Sequence, residues 1–214
     1  MNASQAFGEL RAFGRPVIET REAAALLRTS SSNASHLLRS MAVSGLVRRI
    51  RHGLWALDPA IDPFVAVPYL TAPYPAYVSL WSALATHDMI EQVPAQVFVI
   101  SLDRTREITT GLGPYSIHHL TPEIFGGFEG DPEHGYLATP EKALVDTVYI
   151  RAPRGGRAYF PELSLPMDFD PGQLDTWTKR IPTPKLRTMV MRGLERALTQ
   201  AENNSGRRAE RSWS

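Results

Sequence analysis

The sequence predicts an α+β protein, and three observations support that fold class. Residues up to about 57 place apolar side chains at helical spacing and then in two short runs around a glycine. The residues that follow alternate helical segments with strand-like runs such as Val97–Ser101. Sixteen of the seventeen prolines lie at or after Pro59, which marks a boundary near Asp58–Pro63 because proline interrupts regular structure. We therefore expect an N-terminal part followed by a mixed α/β domain.

The charge of the chain divides the sequence in the same way. Residues 1–57 hold eight arginines and three glutamates, a net charge of +5, whereas residues 58–150 carry −9 and residues 151–214 carry +5. A basic part beside an acidic part indicates two surfaces with different partners. The last residues are polar and aperiodic, which is typical of disorder. We expect a first domain over residues 1–60, a second over residues 61–202 and a disordered tail over residues 203–214.

Composition narrows the class of protein further. The 214 residues include no cysteine, which excludes disulfides and thiolate metal sites. The sequence has no run of eighteen apolar residues, and its start lacks the basic and then apolar pattern of a signal peptide. We therefore expect a cytoplasmic protein.

Three helices and a hairpin are predicted within the first sixty residues. Phe7, Leu10 and Phe13 recur at helical spacing before Gly14, and Pro16–Ile18 is short and extended. Thr20 is the expected cap of a second helix, and a glycine turn at Gly53 separates two apolar runs that form a hairpin. The predicted segments are a helix over Arg21–Arg28, a helix over Ser32–Ser44 with Ala34, Leu37, Leu38 and Met41 buried, and strands over Leu46–Ile50 and Leu54–Leu57. This order is typical of a winged helix-turn-helix.

The polar residues of this segment predict a DNA-binding surface. The third helix offers side chains that can hydrogen-bond and no acidic group, as expected of a recognition helix that reads base edges. The hairpin concentrates cationic side chains suited to phosphate or minor-groove contacts. The candidate residues are Ser32, Asn33, Ser35, His36 and Arg39 on the helix and Arg48, Arg49, Arg51 and His52 on the hairpin. The alternatives are a solvated polar edge or a winged helix that binds another protein.

The sequence of residues 61–202 predicts alternating helices and strands. Thr139-Pro140-Glu141 is a helix start with a capping hydroxyl, a proline at the first position and a carboxylate near the helix dipole. The other predicted helices are Ser79–His87, one that starts at Asp170-Pro171, and Thr183–Gln200 with Leu186, Met189, Val190, Leu194 and Leu198 buried. The predicted strands are Val97–Ser101, Tyr115–Leu120 and Gly135–Ala138.

Three motifs carry a resemblance to a known family. Tyr77–Ile90 resembles the "S-x-x-S-A-L-x-x-H-G-L-I" block of AbiEi-type antitoxins, the regulatory half of AbiE type IV toxin–antitoxin systems. Thr139–Asp146 looks like the "A-x-P-E-K-A-L-x-D" block of that family, and Gly53–Leu57 is similar to its "G-x-Y-x-L" wing. Asp88 stands where the family has glycine, and Trp55 stands where it has tyrosine.

The resemblance implies a function that composition and spacing do not reach. AbiEi-type proteins bind inverted repeats in their own promoter through the winged helix. Their second domain counteracts a nucleotidyltransferase-like toxin encoded beside them. The resemblance thus implies double-stranded promoter DNA as a binding partner and the toxin as a functional partner. It leaves open whether the toxin is opposed by direct binding, by modification of the toxin or by protection of a shared target. We expect neither a cofactor nor enzymatic activity.

Two alternative functions belong to other classes. A one-component transcription factor would sense a small ligand in a closed apolar pocket of the second domain. A nuclease would hold a metal between Glu141 and Asp146, but their spacing favours a capped helix with one internal ion pair near Lys142. His118 and His119 alternate to opposite faces of a strand, so they cannot chelate one ion together. We therefore expect no metal site.

Overall fold

The computed structural model describes residues 3–154, 160 and 162–211 and has a mixed α+β fold with two sheets. The helices are α1 (Ala3–Ala12), α2 (Thr20–Leu26), α3 (Ser31–Val43), α4 (Val67–Thr71), α5 (Leu80–Thr86), α6 (Pro140–Arg151), α7 (Pro171–Lys179) and α8 (Pro184–Arg211). The strands are β1 (Val17–Glu19), β2 (Arg48–Arg51), β3 (Leu54–Ala56), β4 (Ala76–Val78), β5 (Val97–Ser101), β6 (Arg106–Thr110), β7 (Gly113–His119), β8 (Phe128–Asp131) and β9 (Gly135–Ala138). Three short 3-10 helices lie at Pro63–Ala66, Pro122–Ile124 and Ala152–Arg154.

The first sheet has three antiparallel strands in the order β1-β3-β2. The predicted hairpin is present, and the extended segment after Pro16 joins it as β1 through the pairing of Val17 with Ala56. Gly53 adopts φ +76° at the hairpin turn, a conformation that glycine reaches without steric cost. Because β3 is central, β2 is an edge strand of this sheet.

Helices α1 to α3 cover one face of the first sheet. The helical period predicted the buried stripe of α3, and Ala34, Leu38 and Met41 are fully buried while Leu37 is partly buried. Trp55 from β3 joins the same apolar cluster. This cluster therefore fixes α3 against the β2–β3 hairpin.

The cap of α2 differs from the prediction. Glu19 rather than Thr20 is the N-cap residue, and it forms a capping box in which the Glu22 carboxylate accepts the Glu19 N–H at 2.9 Å. The prediction that Thr20 caps this helix is wrong because its hydroxyl bonds to the hairpin instead. The cap of α3 is Ser30, whose hydroxyl accepts from the backbone N–H of Asn33.

The second sheet has six strands in the order β6-β7-β5-β4-β9-β8. Its β4–β9 and β5–β7 pairs are parallel and its other pairs are antiparallel, so the sheet is mixed. One face, which includes Tyr77 and Ile100, packs on α5 and α6, and α7 and α8 complete this cluster. The predicted strands β5, β7 and β9 are confirmed, whereas β4, β6 and β8 were not predicted.

The opposite face of the six-stranded sheet packs against the N-terminal sheet. Val78, Val99 and Ile117 share one apolar cluster with Val17 and Ile50. This cluster also contains residues that follow the predicted boundary, namely Ile61, Val65, Ala66, Val67 and Leu70. The change of composition near residue 60 therefore coincides with a change of elements but not with a gap in the core.

Helix α8 packs on α6 at Gly193, where a Cβ atom would meet the Val148 side chain. Met189 was predicted to be buried but is 36% exposed, because it lies at the edge of the stripe centred on Val190 and Leu194. The helix continues through Arg211, into the segment 203–214 for which the sequence predicts disorder, and residues 212–214 lie outside the described residues. An established helix gains one backbone hydrogen bond for each added residue, which favours this continuation. In the described part of the chain, no helix has both the length and the apolar character required to cross a membrane.

Candidate nucleic-acid interface

A groove of about 850 Å³ lies between the start of α2, the first half of α3 and the β2–β3 hairpin. Thr20, Gly53 and Trp55 contribute to its wall. Six of the nine predicted DNA-binding residues line this groove, which we call the basic groove: Ser32, Ser35, Arg39, Arg49, Arg51 and His52. The structure thus brings together most of the candidates from the helix and from the hairpin.

The helical period explains which α3 residues reach the basic groove. Ser32, Ser35 and Arg39 follow one another at spacings of three and four, so they lie on one stripe of the helix. Asn33 and His36 lie on a neighbouring exposed stripe and do not line the groove. The Asn33 amide donates to the Thr29 hydroxyl at 3.3 Å.

The alternation of strand β2 separates the hairpin arginines in a similar way. Arg49 pairs with Trp55 across the hairpin, and its guanidinium carbon lies 5.8 Å from the Trp55 ring centroid. Its Nη2 atom is also 3.4 Å from His52 Nδ1. Arg48 points away from the groove and approaches the Pro59 carbonyl oxygen at 3.5 Å. Two adjacent arginines therefore have different surroundings.

The hairpin turn is fixed to the start of α2 by three hydrogen bonds. The Trp55 indole Nε1–H donates to the Thr20 hydroxyl oxygen at 3.0 Å, and that hydroxyl donates to the Gly53 carbonyl at 3.4 Å. The Thr20 backbone N–H also donates to the Gly53 carbonyl at 2.9 Å. Sequence reasoning missed this role of Thr20, although a buried indole N–H requires a polar partner.

The basic groove carries an excess of positive charge. Four arginines line it, and Glu19 is its single acidic lining residue. The Glu19 carboxylate is engaged by the capping box at the start of α2. Within the described residues, no ion pair engages the guanidinium groups of Arg21, Arg39, Arg49 or Arg51. Arg21 was not a predicted site residue, because its helix was assigned only a structural role.

The electrostatics of the groove suit an anionic ligand that spans several contacts. Guanidinium groups are planar donors that bind phosphate oxygens in a bidentate manner. The Arg51 guanidinium also donates to the Tyr69 carbonyl at 3.4 Å, which ties this side chain to α4. The start of α3 adds the favourable end of a helix dipole, since Ser31 and Ser32 line the groove.

The candidate metal residues Glu141 and Asp146 do not share a site. Asp146 is fully buried, forms an ion pair with Lys142 and accepts hydrogen bonds from the hydroxyls of Tyr77 at 3.0 Å and Ser79 at 2.8 Å. The predicted internal ion pair of this helix is therefore confirmed. Glu141 instead accepts a hydrogen bond from the backbone N–H of Asp170 at 2.9 Å.

Burial shifts the pKa values of both members of this ion pair. It lowers the pKa of Lys142 and raises the pKa of Asp146, and in each case the charge of the partner opposes the shift. Burial also raises the pKa of Tyr77 well above its usual value, and the nearby Asp146 charge adds to that shift. The network holds α6 against β4.

Three histidines outside the basic groove contact neighbouring residues of the fold. His118 stacks on Phe98 with ring centroids 6.2 Å apart, and the His119 Nδ1 atom lies 3.2 Å from the Asp103 carbonyl oxygen. His87 Nε2 lies 2.7 Å from the Ala138 carbonyl oxygen. Over the ranges described, no group of three or more acidic or histidine side chains is arranged to hold a metal ion.

A second groove lies beside the six-stranded sheet. It has a volume of about 490 Å³, and its lining includes Trp81, Phe98 and Arg151. The Arg151 guanidinium stacks on Trp81 at 4.9 Å from the ring centroid. Val93 borders this groove and is 89% exposed, so the groove opens to solvent.

Comparison of the whole chain with known proteins finds neither a protein-family model nor a curated protein that matches it. The resemblance to AbiEi-type antitoxins therefore rests on the motifs at Tyr77–Ile90, Thr139–Asp146 and Gly53–Leu57. The geometry of the basic groove is independent of that resemblance.

Proposed function

We propose that this protein is a DNA-binding autorepressor and antitoxin of a type IV toxin–antitoxin system. In this proposal the first sixty residues act as a winged helix-turn-helix, with α3 as the recognition helix and the β2–β3 hairpin as the wing. The order of three helices and a hairpin, with one extended strand before α2, supports this assignment.

One observation carries the DNA-binding half of the proposal. The polar stripe of α3 and the cationic hairpin line the same groove, and the structure describes no ion pair that neutralises its arginines. A recognition helix requires hydrogen-bonding side chains beside groups that hold the phosphate backbone. In our proposal Ser32, Ser35 and Arg39 approach base edges in the major groove, while Arg49 and Arg51 contact phosphates.

Salt dependence of binding tests this half directly. The full chain should bind a duplex from its own upstream region more tightly than an unrelated duplex of equal length. Contacts to about four to six phosphates predict that log K falls against log salt with a slope of about −0.9 per phosphate. Fluorescence anisotropy at several salt concentrations measures both quantities. A dissociation constant that does not change with salt, or equal affinity for the two duplexes, would reject the proposed interface.

The antitoxin half of the proposal rests on the resemblance. It predicts that the neighbouring gene encodes a nucleotidyltransferase-like toxin and that co-expression of this chain restores growth. A toxin that remains lethal in the presence of this protein would reject the antitoxin role and leave the repressor role standing. The upstream duplex should contain an inverted repeat.

A one-component, ligand-sensing transcription factor is the second candidate. The groove beside Trp81, Phe98 and Arg151 is its candidate site, because aromatic walls and one guanidinium suit a small apolar acid. This groove opens to solvent, so it differs from the closed pocket expected for a ligand sensor. This candidate predicts that such a ligand changes the affinity for the upstream duplex. Toxin rescue without any effect of small acids on DNA binding would favour the antitoxin.

A further inference from the structure

The turn between β6 and β7 touches the edge of the hairpin strand β2. The Gly111 backbone N–H donates to the Ile50 carbonyl at 2.8 Å, so a residue in a turn of the second sheet occupies a hydrogen-bonding position on the free edge of the first. Ile50 is also 2% exposed and packs in the cluster shared by the two sheets. Strand β2 is therefore held in two ways. The Gly111 backbone N–H forms a hydrogen bond at its edge, and its own Ile50 side chain is buried in the shared cluster.

Space, not backbone conformation, requires glycine at position 111. A Cβ atom at Gly111 would overlap the carbonyl oxygen of Arg49 and lie 3.2 Å from its carbonyl carbon. These are backbone atoms, so they cannot move aside as the end of a flexible side chain can. The φ angle of Gly111 lies outside the left-handed region, so an alanine there is not strained in itself.

We infer that Gly111 is a positioning residue for DNA binding and that the second domain sets the position of the basic hairpin. This inference rests on the proposed DNA-binding function. Arg49 and Arg51 belong to the strand that Gly111 contacts, so a shift of this strand moves both guanidinium groups. Binding is tighter when the contacting groups are already ordered, because association then costs less conformational entropy.

The test compares two glycine substitutions in the full chain. Gly111→Ala must displace the Arg49 carbonyl, and we expect affinity for the upstream duplex to fall by roughly tenfold. Gly130→Ala is the control, since its Cβ would overlap the Gly135 carbonyl oxygen in the same manner. Its φ angle of +120° adds a backbone strain that Gly111→Ala lacks, so the control perturbs the fold at least as much. Gly130 lies on β8, at the opposite edge of the six-stranded sheet from β6. We expect the control to lose thermal stability but to bind DNA with wild-type affinity.

The outcomes separate this inference from the proposed function. If the wild-type chain does not bind the duplex, the proposed function fails. If the wild type binds and Gly111→Ala binds equally well, or if Gly130→Ala weakens binding as much, the inference is overturned while the function stands.

Hydrogen exchange of the wild-type chain provides a measurement that does not depend on the folding of a variant. We expect the Gly111 amide to be protected despite its position in an exposed turn, and to be more protected with the upstream duplex bound. Exchange of this amide at the rate of a free turn in the DNA-bound protein would overturn the inference. It would leave DNA binding itself unaffected.

Discussion

Lys142 and Asp146 form an ion pair in which neither side chain has any exposed surface. Removing one partner leaves an uncompensated buried charge, so we expect Lys142→Met to lower the free energy of unfolding by about 3–5 kcal/mol. Adding Asp146→Asn should recover a large part of that loss, because the amide oxygen still accepts from Tyr77 and Ser79 while the charge is gone. Urea unfolding followed by circular dichroism measures the double-mutant cycle.

The exposed pair Lys179–Asp175 serves as the control for this cycle. It has the same sequence spacing, but its side chains are 72% and 55% exposed. We expect Lys179→Met to change stability by no more than about 0.5 kcal/mol. An equal effect of the two lysine substitutions would show that burial does not decide the energy of the Lys142 pair.

Arg49 and Arg48 provide a matched pair of substitutions on one strand. Arg49 lines the basic groove, whereas Arg48 points away and contacts the Pro59 carbonyl. We expect Arg49→Ala to weaken binding similarly for all duplex sequences and to reduce the magnitude of the salt slope by about one phosphate contact. Arg48→Ala should have a clearly smaller effect on that slope. Equal effects on the slope would contradict the assigned face of the hairpin.

Local patterns in the sequence predicted which helices and strands form the site, but they did not predict how the side chains of the site are arranged. The apolar period of α3 identified Ala34, Leu38 and Met41 as buried, because helical periodicity depends only on neighbouring residues. The glycine turn at Gly53 identified the hairpin for the same reason. The alternation along β2 places Arg48 and Arg49 on opposite faces, but which face meets the groove depends on pairing with β3 and packing against α3, and it was not predicted.

The features that the sequence did not predict depend on contacts between residues that are far apart along the chain. Strand β8 carries mostly exposed residues and has no apolar alternation, so only its pairing with β9 defines it. The hydroxyl oxygen of Thr20 accepts a hydrogen bond from Trp55, which lies thirty-five positions away. Gly111 lies in a turn, and nothing in its neighbourhood along the chain indicates the contact with Ile50.

Substitutions at Arg39 and Asn33 test which stripe of α3 contacts base edges in the proposed complex with DNA. Arg39 faces the basic groove, while the Asn33 amide donates to Thr29 on a different stripe. We expect Arg39→Ala to reduce the discrimination against a changed base pair by about 1–3 kcal/mol at one position of the repeat. Asn33→Ala should leave that discrimination nearly intact. Competition binding with a set of single base-pair variants measures both, and loss of specificity in Asn33→Ala alone would assign recognition to the other stripe.

His134 and Asp131 form an exposed pair that titrates. The hydrogen bond that the Asp131 carboxylate accepts from His134 raises the pKa of His134 above 6.5 and contributes to holding the pKa of Asp131 below 3.8. The stabilisation from His134 is fully present below pH 6.5 and is lost as the pH rises through the raised pKa. The stabilisation from Asp131 is present above pH 3.8 and is lost as the pH falls through the lowered pKa of this carboxyl group. NMR titration should show the His134 pKa falling in Asp131→Asn, and an unchanged value would reject the pairing.

Asp88 ends α5 in a backbone conformation that glycine normally adopts. Its φ angle is +54°, and the bonds from Asp88 N to the Ala85 carbonyl and from Met89 N to the Leu84 carbonyl form a Schellman motif. AbiEi-type sequences have glycine at the matching position. The left-handed region costs a residue with a Cβ about 1–2 kcal/mol, and aspartate tolerates it better than most.

Glycine at such positions should therefore stabilise the protein. Arg28 ends α2 in the same motif with φ +48°, so we expect Arg28→Gly to raise the free energy of unfolding by about 0.5–1 kcal/mol and Asp88→Gly by less. Gly45 ends α3 in this motif with open space around its Cβ position, so Gly45→Ala isolates the conformational cost and should destabilise by about 1 kcal/mol. Urea unfolding of the three variants measures the series. A loss of stability in Arg28→Gly together with no loss in Gly45→Ala would contradict left-handed strain as the governing term at these helix ends.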